Sequence, residues 1–364
     1  MSTLVVGAGP AGLAVAAALG ARGVDATVLE RADDVGASWR GHYDRLHLHT
    51  TRRWSSLPGT VIPRRYGRWV ARDDVVAYLE EYARDLDVRT GVSVDRADAD
   101  GTGWVLTTSA GELRARNVVV ATGYNHTPVP PAWPGIDTFT GEVLHASRYR
   151  NAAPFVGRDV LVVGVGNTGA ELAVDLAEGG ASRVRLAVRT PPHIVRRSNL
   201  GWPAQGTGIL VRHLPVPLVD RIAGAVARVE VPDLSSYGLP RPTTGLYSRV
   251  QQGSVPVQDV GLIAAVQSGA VTPVGAVVGV DGPDVLLADG SRVSPDVILA
   301  ATGYRRGLEP MVGHLGVLDE HGVPRAHGPR PARPGLYFTG YTNPISGMFR
   351  ELRIDAERIA RVVG

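Results

Sequence analysis

Two copies of one nucleotide-binding device constrain this chain more than any other feature. Residues 4–31 read LVVGAGPAGLAVAAALGARGVDATVLER, and residues 160–189 read VLVVGVGNTGAELAVDLAEGGASRVRLAVR. In each, an apolar, β-branched run enters GxGxxG (Gly7, Gly9 and Gly12; Gly164, Gly166 and Gly169), then a helix-period stretch and a second apolar strand. The first glycine makes a tight turn, the second lets backbone approach a pyrophosphate at the helix N-terminus, and the third lets the helix pack on the strand. One GxGxxG is weak evidence; strand, turn, helix and strand in that order, twice, is strong. Two dinucleotides in one polypeptide point to electron transfer between them.

The residues after each motif separate the two ligands. Glu30 closes the first unit's second strand and suits hydrogen bonds to both hydroxyls of an unmodified ribose, which favours FAD there. In the second unit Arg189 takes the corresponding place, with Arg196 and Arg197 nearby. Cations suit a 2′-phosphate, so NADPH is expected over NADH. The bland alternative for each arginine is a solvated surface charge.

The repeat extends past the glycines. Residues 104–125 (WVLTTSAGELRARNVVVATGYN) and 285–305 (VLLADGSRVSPDVILAATGYR) both read as a hairpin, an apolar strand and ATGY, with Gly123 in the first copy. An internal duplication is the simplest account. The second copy is the longer, and its extra residues are expected near 201–253, where Pro and Gly are dense and periodicity is poor. That insertion reads either as a cover for a ligand or as a surface excursion.

Composition bounds the function class. A chain of 364 residues exceeds what one core usually organises, and 44% hydrophobic with 20% charged residues is ordinary for a globular enzyme. The net charge of +3 is spread along the chain, so no nucleic-acid or membrane footprint is read from it. Residues 4–19 are apolar but contain Gly7, Gly9, Pro10 and Gly12, whose removal would destroy the first nucleotide site; a cytoplasmic protein is expected. Cysteine is absent, which excludes electron transfer through a redox-active cysteine pair and thiolate-held iron–sulfur or zinc. His47 and His49 read as two polar residues on one extended face, and no metal is expected.

Between the two units lies FTGEVLHASRY, with Phe139, Gly141, His145 and Tyr149 in register with FxGxxxHxxxY. It resembles the fingerprint of the flavin-containing monooxygenases (class B flavoprotein monooxygenases). The related Baeyer–Villiger fingerprint ends in Trp, where Tyr149 and Arg150 stand here. The resemblance covers nearly the whole chain and is greatest to YUCCA-like members, carried by YDRLHLHTTRRWSSLP, VRTPPHIVRR, LPVPLVDR, YGLPRP, PVQDVG and TGYTNPISG in that order. One position departs from the wider family: His49 stands where animal-type members have Asn, as it does in YUCCA-like proteins.

The resemblance implies an α/β fold of two Rossmann-like dinucleotide-binding domains, FAD and NADP, with the NADP domain inserted into the FAD domain. The expected boundaries are 1–152 plus 306–364 for the FAD domain and 153–305 for the NADP domain, with substrate met in the crevice between them. It further implies that NADPH reduces FAD, that reduced flavin forms a C4a-(hydro)peroxyflavin with O2, and that one oxygen atom enters a small molecule. N- or S-oxygenation and oxidative decarboxylation of a 2-oxo acid such as an arylpyruvate both remain open. An NADPH oxidase or other non-oxygenating FAD oxidoreductase is the alternative. Implied site residues are Asn167 and His49 beside the oxygenated flavin. Trp39 and Arg40 are implied along FAD, and Gly340, Asn343 and Ser346 before a C-terminal helix that faces the flavin. His145 is expected as a hydrogen-bonding hinge, and Arg52, Arg53 and Arg241 are available to anchor a carboxylate. The partners implied are the small-molecule substrate and O2, with no nucleic acid and no membrane; a homodimer is left open.

Overall fold

The computed structural model describes residues 3–364 and divides into two compact units. The first runs up to His42 and continues through Leu46–Thr127 and Tyr304–Gly364; the second comprises Tyr43–Arg45 and Pro128–Gly303. Segment 128–152, expected with the FAD side, therefore packs with the second unit. The cause is strand pairing, because Glu142–His145 runs parallel to Val297–Ala300 and forms the edge of that unit's sheet.

The first unit is built on a five-stranded parallel sheet in the order Leu336–Phe338, Asn117–Val120, Thr3–Val6, Ala26–Leu29, Asp87–Arg89. Thr3–Val6 is buried on both faces, as an uninterrupted apolar run in a covered parallel sheet should be. Helix Pro10–Gly20 is nearly all Ala, Leu and Val because it is covered on both sides, with the sheet beneath and the C-terminal helix Met348–Val363 against it. That last helix is amphipathic and turns Phe349, Leu352, Ala356, Ile359 and Ala360 into the same core. Burial of each such Leu, Ile or Phe contributes about 1.5–3 kcal/mol.

The second unit repeats the plan. Its parallel sheet runs Thr272–Val274, Arg183–Ala187, Asp159–Val163, Val297–Ala300, Glu142–His145. In both units the strand entering the glycine turn has the second motif strand on one side and the ATGY strand on the other. Each also carries a three-stranded antiparallel sheet built on the expected hairpin: Val94–Ala99, Trp104–Thr108 and Gly111–Ala115 in the first, Val277–Asp281, Asp284–Leu287 and Arg292–Val293 in the second.

The 201–253 insertion departs from the expectation of poor periodicity. It folds into helices Ala204–Val211, Val216–Glu230 and Leu246–Gln251. The longest helix has an apolar stripe at helical spacing, yet it buries only Val219 and leaves Leu218, Ile222, Val226 and Val229 exposed. Asp220 on that helix accepts the backbone N–H groups of Tyr247 (2.6 Å) and Ser248 (3.2 Å), capping the next helix from outside. No helix among the described residues is long and apolar enough to cross a membrane.

Candidate functional site

The two glycine turns are geometric copies. Gly7 has φ +105° and Gly164 φ +108°, conformations that L side chains rarely adopt. A Cβ on Gly7 would lie 2.7 Å from the Ala121 carbonyl oxygen, and one on Gly164 would lie 2.5 Å from that of Ala301. The third glycines are tighter still, since a Cβ on Gly12 or Gly169 would overlap the carbonyl oxygen of Gly7 or Gly164. The middle glycines differ. Gly9 and Gly166 have ordinary extended backbone, and a Cβ there would meet no protein atom within 4 Å. Chain packing thus explains four of the six glycines and leaves the middle pair to be explained by a ligand lying on the backbone.

In the first unit the surroundings of that cradle fit FAD. Glu30, at the end of strand Ala26–Leu29, accepts Ala8 N–H (2.8 Å) with Oε2 and Ala32 N–H (3.0 Å) with Oε1. These bonds aim the carboxylate, and its remaining lone pairs can accept ribose hydroxyls. Thr339 and Gly340, Ala121 and Thr122, Gly7, and Glu30 all follow the C-terminal ends of neighbouring parallel strands, where α/β sheets bind ligands. Gly123 has φ +93° and open space at its Cβ position. A Cβ on Gly340 would lie 3.2 Å from the Cβ of Ala11 on the first helix. Next to it Tyr341 is buried, bonds through its hydroxyl to Thr122 Oγ1 (2.8 Å) and is pushed up to about 12 by burial.

Four residues expected along FAD have partners within this unit or lie in its loops. Arg40 pairs with Glu80 of helix Arg72–Ala83 and donates from Nε to the Val35 carbonyl (3.1 Å). Ser346 donates to Glu351 Oε1 (2.6 Å) and braces the first turn of the C-terminal helix. Trp39 packs edge-on against Phe349 of that helix, with ring centroids 5.8 Å apart. Asn343 lies in the irregular stretch before it.

On the coenzyme side the three arginines separate. Arg189, two residues past strand Arg183–Ala187, is exposed and makes no ion pair among the described residues. Arg196, the last residue of strand Ile194–Arg196, is exposed; its Nε donates to the Glu230 carbonyl (2.8 Å). Arg197 is half-buried and lowered to about 10 by burial, which the nearby Glu171 carboxylate opposes. Arg189 is therefore the arginine most available to a 2′-phosphate.

Asn167 opens helix Asn167–Glu178 directly after the second glycine turn. Its Nδ2 donates to the Pro256 carbonyl (3.2 Å) and its Oδ1 accepts the Gln258 N–H (2.7 Å), so both ends of the amide hold strand Val257–Asp259. Asn167 thereby clamps that strand to the start of the helix. His49 lies in the first unit, just past the bridge between His47 and Ala71, and is half-buried.

The fingerprint residues each have a packing reason within the second unit. Phe139 joins the core under the antiparallel sheet, and a Cβ on Gly141 would lie 2.6 Å from the Asp296 carbonyl oxygen. Ser147 N–H donates to His145 Nδ1 (3.1 Å), which leaves the proton on Nε2 to donate to the Gly303 carbonyl (3.2 Å). Burial lowers the His145 pKa and so favours this neutral form. These bonds tie strand ends within one unit, where a hinge had been expected. Tyr149 stacks on Phe155 and donates to Asp175 Oδ2 (2.6 Å). Burial, with Asp175 adding to it, raises the Tyr149 pKa far above the usual phenol range.

Glu171 and Asp175 are the residues that sequence reasoning missed. They lie one turn apart on the helix Asn167–Glu178 and grip Tyr43, Arg45 and Tyr149. A signal was present: carboxylates at 171, 175 and 178 recur at helical spacing and so share one face of the helix.

Comparison with known proteins adds to this geometry. Residues 4–200 match the family described as "Pyridine nucleotide-disulphide oxidoreductase". The chain is 40% identical over 350 residues to "Indole-3-pyruvate monooxygenase YUCCA1" of Oryza sativa subsp. japonica, covering 93% of this chain and 86% of that protein. It is 35% identical to "Probable indole-3-pyruvate monooxygenase YUCCA9" of Arabidopsis thaliana, covering 99% and 88%. Among solved structures, the flavin-containing monooxygenase from Stenotrophomonas maltophilia shares the fold with a TM-score of 0.73 at 22% identity, covering 100% and 99%. An oxidised steroid monooxygenase bound to NADP does so with a TM-score of 0.75 at 20% identity, covering 100% and 85%.

Proposed function

The chain belongs to the pyridine nucleotide-disulphide oxidoreductase family and, within it, to the YUCCA-type FAD- and NADPH-dependent monooxygenases, and on that premise we propose that it oxidatively decarboxylates an aromatic 2-oxo acid. Without a cysteine, the dithiol chemistry in the broader family's description is excluded. The observation that carries the reading is the 40% identity, over 93% of the chain, to a relative named for indole-3-pyruvate.

The reaction balances as arylpyruvic acid, O2, NADPH and a proton giving arylacetic acid, CO2, NADP⁺ and water. FAD, when bound, supplies the oxygen-activating chemistry, with electrons from NADPH. The protein's share is to bind, orient and exclude water. Gly9 and Gly166 admit the two pyrophosphates, Glu30 receives the FAD ribose, and Arg189 meets the 2′-phosphate. Arg53 is the best-placed carboxylate anchor of the three arginines considered. Arg52 donates to the Gly67 and Ile62 carbonyls and Arg241 to that of Val231, whereas Arg53 is exposed and only lies 5.9 Å over the Trp54 ring. His49 lies on the same loop and is the residue this reading assigns to the oxygenated flavin.

The test gives the FAD-loaded enzyme NADPH, O2 and either indole-3-pyruvate, phenylpyruvate, a tertiary amine or a sulfide. Arylacetate formed per NADPH, CO2 and hydrogen peroxide are then measured. The expected result is near-stoichiometric arylacetate and CO2 with the 2-oxo acids, and peroxide as the main product with the amine and sulfide. Oxygenated amine or sulfide without decarboxylation would reverse the reading, and peroxide with every compound would make the protein an NADPH oxidase.

A further inference from the structure

Of the fifteen large apolar side chains exposed among the described residues, nine lie between residues 200 and 237, so one stretch of the second unit holds most of the large apolar groups shown to water. Single exposed apolar residues are ordinary, whereas a contiguous group marks an interaction surface. The helix Val216–Glu230 carries the main part. Its Leu218, Ile222, Val226 and Val229 recur at the helical repeat over about 16 Å and are all exposed, Val229 to 88%. Arg221 and Arg228, two turns apart and also exposed, run along one edge of that stripe.

Both carboxylates of the helix are already bonded. Asp220 accepts the Ser248 hydroxyl (2.5 Å) besides the two backbone N–H groups of the next helix, and Glu230 receives Asn199 Nδ2. Beyond the helix, the exposed Asp233 is held by Ser235, which donates from N–H (3.0 Å) and Oγ (2.6 Å). The cations along the stripe therefore set its charge.

The Asn199–Glu230 bond also extends the surface. Asn199 belongs to the hairpin that pairs Ser198–Asn199 with Trp202–Pro203, and Glu230 follows Val229, so the hairpin tip stands at the C-terminal end of the stripe. At the tip Leu200 is fully exposed with φ +44°, the one non-glycine residue with positive φ among the described residues. A leucine held there is strained, and its exposure adds nothing to folding. Trp202 is half-exposed, with its Nε1 donating to Thr207 Oγ1 (3.2 Å).

We propose that this face, helix Val216–Glu230 with the hairpin tip 200–202, docks on an anionic lipid bilayer, the helix lying in the plane of the interface. An apolar stripe to enter the acyl boundary, arginines at its edge to meet headgroup phosphates and a tryptophan at its end are what such docking requires. Charge argues against a second copy as the occupant. Two antiparallel helices packed stripe to stripe about a two-fold axis would set one cationic edge beside the other. The net charge of the whole chain is only +3, so the attraction is local to this face. Such docking is independent of the reaction assigned above.

The experiment sediments FAD-loaded enzyme with vesicles of equal parts phosphatidylglycerol and phosphatidylcholine, and with phosphatidylcholine alone, at low and high salt. Wild type is compared with Arg221→Gln/Arg228→Gln, Ile222→Gln/Val226→Gln and Leu200→Gly, with thermal midpoint, FAD content and solution mass followed in parallel. Wild type is expected to bind the anionic vesicles, less so as salt rises, and to leave phosphatidylcholine largely unbound. One cation near an anionic surface is worth about fivefold, so the arginine pair should weaken binding by about 25-fold. Ile222→Gln/Val226→Gln should lose at least as much with an unchanged midpoint, because both side chains are exposed. Leu200→Gly should split the readouts, raising the midpoint by relieving strain while weakening vesicle binding about tenfold. Wild type that stays in solution with the anionic vesicles overturns the proposal, and a dimer dispersed by Ile222→Gln/Val226→Gln would then give the stripe to a second copy. Equal binding to both vesicle types, or binding that survives the arginine and stripe variants, overturns it too. Should the stripe variant fail to fold, the arginine pair and Leu200→Gly decide by the same criteria.

Discussion

The side-chain oxygen of Asn167 accepts the backbone N–H of Gln258 at 2.7 Å, so the first residue of the coenzyme helix holds a strand 91 positions further along the chain. With the Nδ2 bond to Pro256, one side chain satisfies a donor and an acceptor of that strand.

Asn167→Ala should therefore act first on structure. Two lost hydrogen bonds at about 0.5–1.5 kcal/mol each predict a loss of about 1–3 kcal/mol from the unit that contains it. Asn167→Asp keeps the acceptor for Gln258 but sets a carboxylate against the Pro256 carbonyl. Urea unfolding and NADP⁺ affinity should both fall, with FAD content unchanged. Unaltered unfolding would show that the clamp contributes nothing.

The glycines make a sharper contrast. Gly9→Ala and Gly166→Ala have room in the protein and an allowed backbone, so both variants should fold with near wild-type thermal midpoints. Gly9→Ala should lose FAD on purification and Gly166→Ala should lose NADP⁺ binding. Gly12→Ala, whose Cβ would overlap the Gly7 carbonyl, should instead be recovered poorly or unfolded. A Gly9→Ala protein that stays fully yellow would refute the first cradle.

Arg189→Ala removes an exposed cation from the end of strand Arg183–Ala187. A charge-assisted contact is worth about 1.5–3 kcal/mol, so the preference for NADPH over NADH in flavin reduction should fall by roughly one to two powers of ten. An unchanged ratio would move the 2′-phosphate to Arg196.

Asp355, on the C-terminal helix, has its pKa raised by burial; Glu351 adds to this, and His327 and Arg358 oppose it. A carboxyl whose folded value lies above the unfolded one, about 3.9, costs the native state stability as pH rises through that interval. Asp355→Asn should accordingly raise the thermal midpoint relative to wild type at pH 7 and give no gain below about pH 4. A variant no more stable at pH 7 would mean that His327 and Arg358 fully compensate the carboxylate.

Both glycine turns, the strands around them, the ATGY hairpins and Glu30 were legible from the sequence. Each is decided by a few neighbouring residues: an apolar run, a glycine that must take positive φ, a carboxylate at a strand end. The bonds that Arg40, Ser346 and Asn167 make within the fold were not legible, for a common reason. Their types and positions suit a cofactor, and the sequence does not show that they also bond Glu80, Glu351 and Pro256 with Gln258. Two of these partnerships span tens of residues of chain, and the Ser346 bond depends on which helical face turns inward.

Local stereochemistry and repetition, which the sequence carries by itself, determined that this chain builds two dinucleotide cradles and does so without cysteine chemistry. Tertiary structure decided which polar side chains are left for ligands. Glu171 illustrates the division: its place on a helix follows from spacing, but its hydrogen bond with Tyr43 exists only once two distant segments pack together. A buried polar group must find a partner wherever packing supplies one, and no local pattern encodes that choice.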